Sequence, residues 1–90
     1  MARIAYVNGR YLPHRTAAVH IEDRGYQFAD GVYEVVSVQR GRLIDEEMHL
    51  ERLAFSLGEM EIEPPMDQRG LKVVLREVLS RNGIERAYKL

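Results

Sequence analysis

The segment Asp23–Val36 constrains the fold of this chain more than any other stretch, because it changes character abruptly along its length. Its first half packs charged and aromatic side chains around Gly25, and after Gly31 it becomes a β-branched run typical of a strand. Each glycine indicates either a positive φ angle or a close approach that a Cβ would obstruct. Asp30 is expected to cap the turn by accepting backbone N–H groups. The pattern predicts a loop-to-strand junction, which is either a plain structural turn or one that delivers side chains to a cleft.

Further strand signals lie on both sides of this junction. The dipeptide Asn8-Gly9 separates Ile4–Val7 from Arg10–Leu12 and predicts a β-hairpin, because both central residues of a type I′ turn need positive φ. Gly31–Gln39 is predicted to be the longest strand, followed by a tight turn and a return strand Arg42–Ile44. The first third and the middle of the chain are therefore expected to be mainly antiparallel sheet.

Alternation divides the long predicted strand into two faces. Tyr33 falls on a partly polar face, whereas Glu34 falls with three valines on a more apolar face that we expect to pack on helices. Glu34 would need a partner if buried, and Arg24 is the candidate. Glu34 is interpreted as a structural residue.

Two amphipathic helices are predicted in the second half of the chain. Asp45 is the expected N-cap of the first and Asp67 that of the second, and Asn82-Gly83 supplies a left-handed stop. Arg86–Leu90 is interpreted as the beginning of another strand. Apolar residues recur at helical spacing in both helices: Leu50, Leu53, Ala54 and Leu57 in the first, and Leu71, Val74, Leu75, Val78 and Leu79 in the second. The fold class predicted is α+β, with a mainly antiparallel sheet and two amphipathic helices.

Composition excludes several classes of function. The chain has 90 residues, 46% hydrophobic and 30% charged, which suits one small globular domain of marginal independent stability. Its 13 basic and 14 acidic side chains are interspersed and leave a net charge of -1, which argues against nucleic acid or an anionic membrane as partner. There is no cysteine, and His14, His20 and His49 lack the spacing of metal ligands, so no metal site is expected. No apolar run reaches membrane-spanning length, and a cytoplasmic location is the default expectation.

Arg52, on the first predicted helix, is the leading candidate for anion binding. Its planar guanidinium suits bidentate contact with a phosphate, and it lies beside the apolar stripe rather than within it. The alternative is a solvated helix arginine paired with Glu47, Glu51 or Glu59, and the residues alone favour that alternative. His49 lies three residues earlier and is expected to support the arginine or to hydrogen-bond locally.

Tyr33 is the second candidate, because the hydroxyl of an amphipathic ring can orient a polar substrate group. Most strand tyrosines only pack, so packing is the leading interpretation from the residue alone. A functional role for either candidate needs more support than its residue type.

The order of residues in Glu22–Val36 closely resembles the start of the D-amino-acid aminotransferases, which are fold-type IV (class IV) enzymes that use pyridoxal phosphate. The similarity continues to His49-Leu50-Glu51-Arg52-Leu53, where the family has a His-Leu-Asp-Arg-Leu run. The resemblance implies that residues 1–90 are the small N-terminal domain of such an enzyme, without its large cofactor-binding domain. It also implies that Arg52 contacts the phosphate of pyridoxal 5'-phosphate and that Tyr33 helps to hold the substrate carboxylate.

The reaction implied by the resemblance moves an amino group between a D-amino acid, D-alanine in the first place, and a 2-oxo acid such as 2-oxoglutarate, in a homodimer. Branched-chain aminotransferases and aminodeoxychorismate lyases share the fold and cofactor. Tyr33 and Val35 argue against the branched-chain enzymes, which more often show Gly-Val-Phe-Glu-Gly. Ala29 stands where many relatives have a glycine, and alanine fits there if its φ stays negative.

The lysines distinguish this chain from a complete enzyme. Pyridoxal-phosphate chemistry needs a lysine that forms a Schiff base with the cofactor and later transfers a proton. Lys72 and Lys89 are the only lysines, and neither sits in a matching motif. The chain alone is therefore predicted to contain no catalytic residue and to have no transaminase activity. A non-catalytic half-enzyme or binding module is the alternative from a different class.

Overall fold

The computed structural model describes residues 3–84, and this part of the chain begins with a β-hairpin. Strand β1 (Ile4–Val7) pairs antiparallel with β2 (Arg10–Pro13). Asn8 and Gly9 connect the strands at φ angles of 49° and 85°, the positive values that an Asn-Gly turn requires. The predicted hairpin is confirmed.

Helix α1 (Arg24–Phe28) occupies the first half of the central segment. Asp23 caps this helix, since its Oδ2 accepts from the backbone N–H groups of Gly25 at 3.0 Å and Tyr26 at 3.3 Å. Asp30, predicted to be the capping carboxylate, instead accepts from the Arg24 guanidinium. The prediction that Asp30 caps the turn is wrong because its carboxylate is engaged by the Arg24 guanidinium and does not accept from the backbone N–H groups of the turn.

The backbone leaves α1 through a left-handed residue. Ala29 has φ 59° and ψ 27°, and its N–H donates to the Gly25 carbonyl at 3.1 Å. The condition under which alanine would fit without strain, a negative φ, is therefore not met, because this position closes the helix in the conformation that glycine usually supplies. Gly25 matches the expected close approach, since a Cβ there would lie 3.0 Å from Asp23 Oδ2. Gly31 has no positive φ, and among the described residues nothing lies within 4 Å of where its Cβ would be, so neither reason expected for a glycine applies there.

The long strand predicted at Gly31–Gln39 is paired over only a short part of its length. Strands β3 (Val38–Gln39) and β4 (Arg42–Leu43) form a second antiparallel hairpin around two positive-φ turn residues. Residues 31–37 join no ladder with the described part of the chain, although the Ser37 carbonyl accepts from the Ile44 N–H at 2.9 Å just beyond the hairpin. Their side chains nevertheless alternate between exposed and half-buried, as the predicted period of two requires.

Helices α2 (Glu46–Glu59) and α3 (Gln68–Arg81) lie where the apolar periodicity predicts them. Asp67 caps α3 as predicted, by accepting from the Gly70 N–H at 2.8 Å. Asp45 precedes α2 but has φ 56° and makes no side-chain capping bond, so its predicted role is wrong. A capping side chain reaches the first-turn N–H groups from a β-region backbone, which Asp45 does not adopt.

The apolar faces of α2 and α3 form the core. Leu50 and Leu57 of α2 and Leu79 of α3 are the only buried apolar side chains within residues 3–84. Arg76 donates to both carboxylate oxygens of Glu46 at 2.8 Å, which ties the two helices together at their surface. The predicted α+β class, with antiparallel strands and two amphipathic helices, is confirmed, and the small core agrees with the expected marginal stability.

Asn82 ties the end of α3 to the N-terminal hairpin. Its side chain accepts from the Ile4 N–H at 2.9 Å, and it donates to the carbonyls of Ile4 at 3.0 Å and Val78 at 2.7 Å. Gly83 follows with φ 70°, the left-handed stop predicted from the Asn-Gly pair. The strand predicted at Arg86–Leu90 lies outside the described residues.

Candidate functional site

A carboxylate, a guanidinium and an imidazole meet where residues 31–37 pass α2. Glu34 Oε2 accepts from Arg52 Nε, and Glu34 Oε1 accepts from Arg52 Nη2, both at 2.8 Å. His49 Nδ1 lies 2.7 Å from Glu34 Oε1. Because an ionised carboxylate only accepts, His49 Nδ1 carries the proton of this bond. We refer to Glu34, His49 and Arg52 as the Glu34 cluster.

The local pattern of each element explains why the Glu34 cluster forms. Alternation along residues 31–37 puts Glu34 on the half-buried side, together with the neighbouring valines. His49 and Arg52 are three residues apart on α2 and therefore share one face of that helix. The carboxylate on residues 31–37 thus meets the imidazole and the guanidinium on α2.

The Glu34 cluster keeps its carboxylate ionised. Hydrogen bonds from Arg52, and secondly from His49, lower the pKa of Glu34 from 4.5 to about 2, against partial burial, which acts in the opposite direction. The same carboxylate raises the pKa of Arg52 above its ordinary value. The Glu34 side chain is 13% exposed and that of Arg52 is 58% exposed. The carboxylate therefore lies underneath while the guanidinium faces outward.

The side-on pairing with Glu34 leaves one edge of the Arg52 guanidinium open. Nε and one Nη2 hydrogen bind Glu34, and the opposite edge consists of Nη1 and the second Nη2 hydrogen. Nη2 is also 3.4 Å from His49 Nδ1, but that nitrogen carries a proton and cannot accept. Within residues 3–84, no other group accepts from this edge. The arrangement offers two parallel donors to an anion from outside.

The partner of Arg52 does not come from its own helix. Among the described residues its salt bridge is with Glu34, and Glu47, Glu51 and Glu59 do not pair with it. The alternative of a helix arginine paired with one of those three is therefore wrong in its choice of partner.

Arg24, the expected partner of Glu34, is engaged elsewhere. Its Nε donates to Asp30 Oδ2 at 2.8 Å, and its guanidinium carbon lies 5.0 Å from the centroid of the Phe28 ring. The prediction is wrong because the left-handed turn after α1 brings Asp30 back towards the start of the same helix, within reach of Arg24.

Tyr33 lies on the other side of the segment from the Glu34 cluster. Its side chain is 85% exposed, and Val35, two residues on, is 75% exposed on the same face. The structure thus brings His49 to Arg52, as expected, but it does not bring Tyr33 to Arg52. Any ligand contacted by both residues would have to reach past the edge of the segment.

Comparison with known proteins identifies the family. The family described as amino-transferase class IV matches residues 31–90, which is more than half of the chain and includes the Glu34 cluster and Tyr33. The chain belongs to this family. The resemblance inferred from the sequence is confirmed.

Curated relatives of this class IV aminotransferase chain carry the name D-alanine aminotransferase. The protein from Bacillus licheniformis is 43% identical over 75 residues, covering 83% of this chain and 26% of the relative. Those from Listeria innocua and Staphylococcus haemolyticus are 37% and 35% identical over 78 and 80 residues, covering 87% and 89% of this chain and 27% and 28% of the relative. The chain spans about a quarter of the length of the curated relatives it matches.

The lysine that the structure describes is paired away from the Glu34 cluster. Lys72 lies on α3, where its ammonium group pairs with Glu47 of α2. Lys89 lies outside the described residues. Within the described part of this class IV aminotransferase chain, the open edge of Arg52 therefore has no free amine beside it.

Metal ligation and membrane insertion have no basis in the described residues. Within residues 3–84, no three His, Cys, Asp or Glu side chains are grouped to hold a metal ion. No helix in that range is both long enough and apolar enough to cross a bilayer. The chemistry that the site offers is anion binding through Arg52.

Glu34 is the site residue whose role the sequence analysis missed. The sequence indicates that Glu34 needs a partner if buried, but it points to Arg24 and to a structural role rather than to His49 and Arg52. A signal was available, because Glu34 lies on the helix-facing side of its segment and His49 and Arg52 share one helix face.

Proposed function

We propose that residues 1–90 are the N-terminal small domain of a pyridoxal 5'-phosphate-dependent aminotransferase that acts on D-amino acids. The proposed substrates are D-alanine and 2-oxoglutarate, which would give pyruvate and D-glutamate. Membership of the class IV aminotransferase family and the name shared by the relatives support this assignment. The structural observation that carries it is the open donor edge of Arg52, inside the family match.

Arg52 fits the task of holding the cofactor phosphate. Its open edge presents two N–H donors in the fork geometry that binds phosphate oxygens bidentately. Its side chain is 58% exposed, so an anion can reach it without displacing Glu34 from the other edge. When bound, pyridoxal phosphate supplies an electron sink for bond breaking at the substrate α-carbon. The part of Arg52 is to bind and orient the phosphate.

Tyr33 is proposed to act on the substrate side. Its hydroxyl can donate a hydrogen bond to a substrate carboxylate, and its high exposure leaves it available for that contact. Val35 lies on the same exposed face and would provide an apolar surface next to it. Because Tyr33 and Arg52 lie on opposite faces of the segment, they would contact different ends of a bound cofactor and substrate.

The proton-transferring lysine is proposed to belong to the part of the protein that the relatives have and this chain does not span. Lys72 is paired with Glu47, and neither Lys72 nor Lys89 lies in a matching motif. The purified 90-residue chain is therefore expected to show no turnover of D-alanine. Detectable turnover by that chain would contradict the assignment of the lysine.

A homodimer in the cytoplasm is proposed for the complete protein. The chain exposes large apolar side chains at more than half of their surface, a property that favours burial against another domain or subunit. These side chains are Val19, Ile21, Tyr26, Phe28, Tyr33, Val35, Met48, Phe55 and Val73. The second domain and the second subunit together would cover them.

The substrate assignment is tested on the protein expressed from its complete coding sequence and loaded with pyridoxal phosphate. D-alanine with 2-oxoglutarate is expected to yield pyruvate, measured with lactate dehydrogenase, and the L-enantiomer serves as the control. Consumption of L-leucine or of aminodeoxychorismate, without pyruvate from D-alanine, would replace the proposed activity by that of a branched-chain aminotransferase or an aminodeoxychorismate lyase.

The role of Arg52 is tested with Arg52→Ala and the matched variant Arg76→Ala. Both arginines form bidentate pairs with a glutamate, but Glu46 occupies the Nη1/Nη2 edge of Arg76, the edge that Arg52 leaves open. We expect Arg52→Ala to weaken binding of pyridoxal phosphate about 10- to 100-fold, as loss of charge-assisted hydrogen bonds does. Affinity for pyridoxal, which has no phosphate, should stay the same in both variants. An equal loss for the two ligands would refute the phosphate contact.

A further inference from the structure

The contact between Glu34 and Arg52 defines the orientation of the guanidinium. Both distances are 2.8 Å, and the two bonds use Nε together with Nη2, so they prevent rotation about the last side-chain torsions of the arginine. His49 donates to the same carboxylate at 2.7 Å and limits the movement of Glu34 in turn. The half-buried members are Glu34 and His49, and the outward member is Arg52.

A second Glu–Arg pair in the chain shows that such contacts need not have this geometry. Glu46 binds Arg76 through Nη1 and Nη2, so it occupies the end of the guanidinium. Glu34 binds Arg52 through the side and leaves that end open. The two carboxylates are similarly buried, at 15% and 13% exposure, so the difference lies in the edge that each one uses.

We propose that Glu34 is the positioning residue of the phosphate site: it clamps Arg52 side-on so that the Nη1/Nη2 edge is presented to the cofactor phosphate. The inference rests on the proposed function of Arg52 and adds a role for a residue that does not touch the ligand. The ionised state of Glu34, whose pKa lies near 2, keeps the clamp intact throughout the neutral range.

Positioning and charge predict opposite effects when Glu34 is changed. A negative charge beneath the arginine repels a phosphate, so a role through charge alone predicts tighter phosphate binding in Glu34→Gln and no change in Glu34→Asp. A positioning role predicts weaker phosphate binding in both Glu34→Gln and Glu34→Asp. Glutamine replaces one of the two acceptor oxygens with an NH2 donor, so it cannot accept from Arg52 Nε and Nη2 side by side, and the aspartate side chain is one methylene shorter and does not reach the same place.

The test compares dissociation constants of pyridoxal phosphate and pyridoxal, using the protein expressed from its complete coding sequence in its cofactor-free form. The ratio of the pyridoxal constant to the pyridoxal phosphate constant measures the phosphate contribution, and it falls when the phosphate contact is lost. We expect this ratio to fall about tenfold in Glu34→Asp and Glu34→Gln, because ordering a freed arginine side chain costs affinity on that scale. The matched variants Glu46→Asp and Glu46→Gln should leave the ratio unchanged, although they also break a bidentate pair.

A double-mutant cycle separates this inference from the proposed function. In the Arg52→Ala background, Glu34→Asp should cost no further phosphate affinity, because Glu34 acts only through that arginine. If Arg52→Ala itself leaves the ratio unchanged, the phosphate ligand is misassigned and the proposed function fails at that point. If Arg52→Ala collapses the ratio but both Glu34 variants keep it, or Glu34→Gln raises it, the positioning role alone is refuted.

A measurement on the unmodified protein decides the matter if the Glu34 variants do not fold. The Arg52 Nε–H should give a distinct nitrogen-15 NMR signal that exchanges slowly with water, since Nε is bound to Glu34. Adding pyridoxal phosphate should leave this signal protected while the Nη resonances shift. An Nε–H that exchanges as fast as that of free arginine would overturn the proposal.

Discussion

Ala29→Gly is expected to stabilise the protein, although glycine usually weakens a fold. Ala29 closes α1 with φ 59° and ψ 27°, in the left-handed region, and its N–H is bonded to the Gly25 carbonyl. Glycine adopts this conformation without a steric penalty and can keep the same hydrogen bond.

The magnitude follows from two opposing terms. Holding an alanine in the left-handed region costs about 1–2 kcal/mol, and glycine would remove that cost. Glycine also loses about 0.4–1 kcal/mol more chain entropy on folding. The net expectation is a gain of about 1 kcal/mol, which for a domain of this size corresponds to a melting temperature about 5 °C higher.

The assay is urea and thermal unfolding followed by circular dichroism, with Ala54→Gly as the matched control. Ala54 lies exposed within α2 at an ordinary helical φ, so the same substitution there should destabilise by about 1 kcal/mol. The slope of the unfolding free energy against urea concentration should not change in either variant. If Ala29→Gly destabilises the protein as much as Ala54→Gly does, the left-handed conformation of Ala29 is not what limits stability.

Two further predictions concern contacts between distant parts of the chain. Asn82→Ala removes three hydrogen bonds, two of them to Ile4, and should lower the unfolding free energy by about 2 kcal/mol in urea titrations, with a loss near zero ruling out the link. Glu34 has a folded-state pKa of about 2, below its unfolded value of 4.5, so its pair with Arg52 stabilises the fold above pH 4.5 and loses this effect as the pH falls towards 2. The stability difference between the wild-type protein and Glu34→Gln should therefore shrink as the pH falls from 4.5 towards 2, and a difference that stays the same over this range would contradict the ion pair.

The elements that sequence reasoning predicted correctly are those fixed by local chemistry. Asn8-Gly9 determines the first hairpin because few other residue pairs accept two positive φ angles in succession. Asp67 caps α3 because it directly precedes the first helical turn, where its side chain reaches the Gly70 N–H. In both cases the deciding contacts lie within four residues of the signal.

The predictions that failed concern choices between similar groups. Asp23 and Asp30 flank the same short helix, but Asp23 accepts the backbone N–H groups whereas Asp30 pairs with Arg24. Asp45 has the residue type of an N-cap, but the hairpin that precedes it enters α2 through a left-handed residue. Such choices depend on the direction of the chain between elements, which residue type does not encode.

The partner of Arg52 could be predicted in part from the sequence. Helix geometry alone excludes the glutamates of α2. Glu51 points about 100° away around the helix, Glu47 is five residues distant, and Glu59 is about 10 Å further along the axis, whereas pairing within a helix needs a spacing of three or four. An arginine without a partner on its own helix must face solvent, a ligand or another element. The alternation of residues 31–37 turns one acid, Glu34, to the side that meets α2. Two periodicities taken together thus identify the pair that neither identifies alone, and the edge of the guanidinium left open is the part that only the structure reveals.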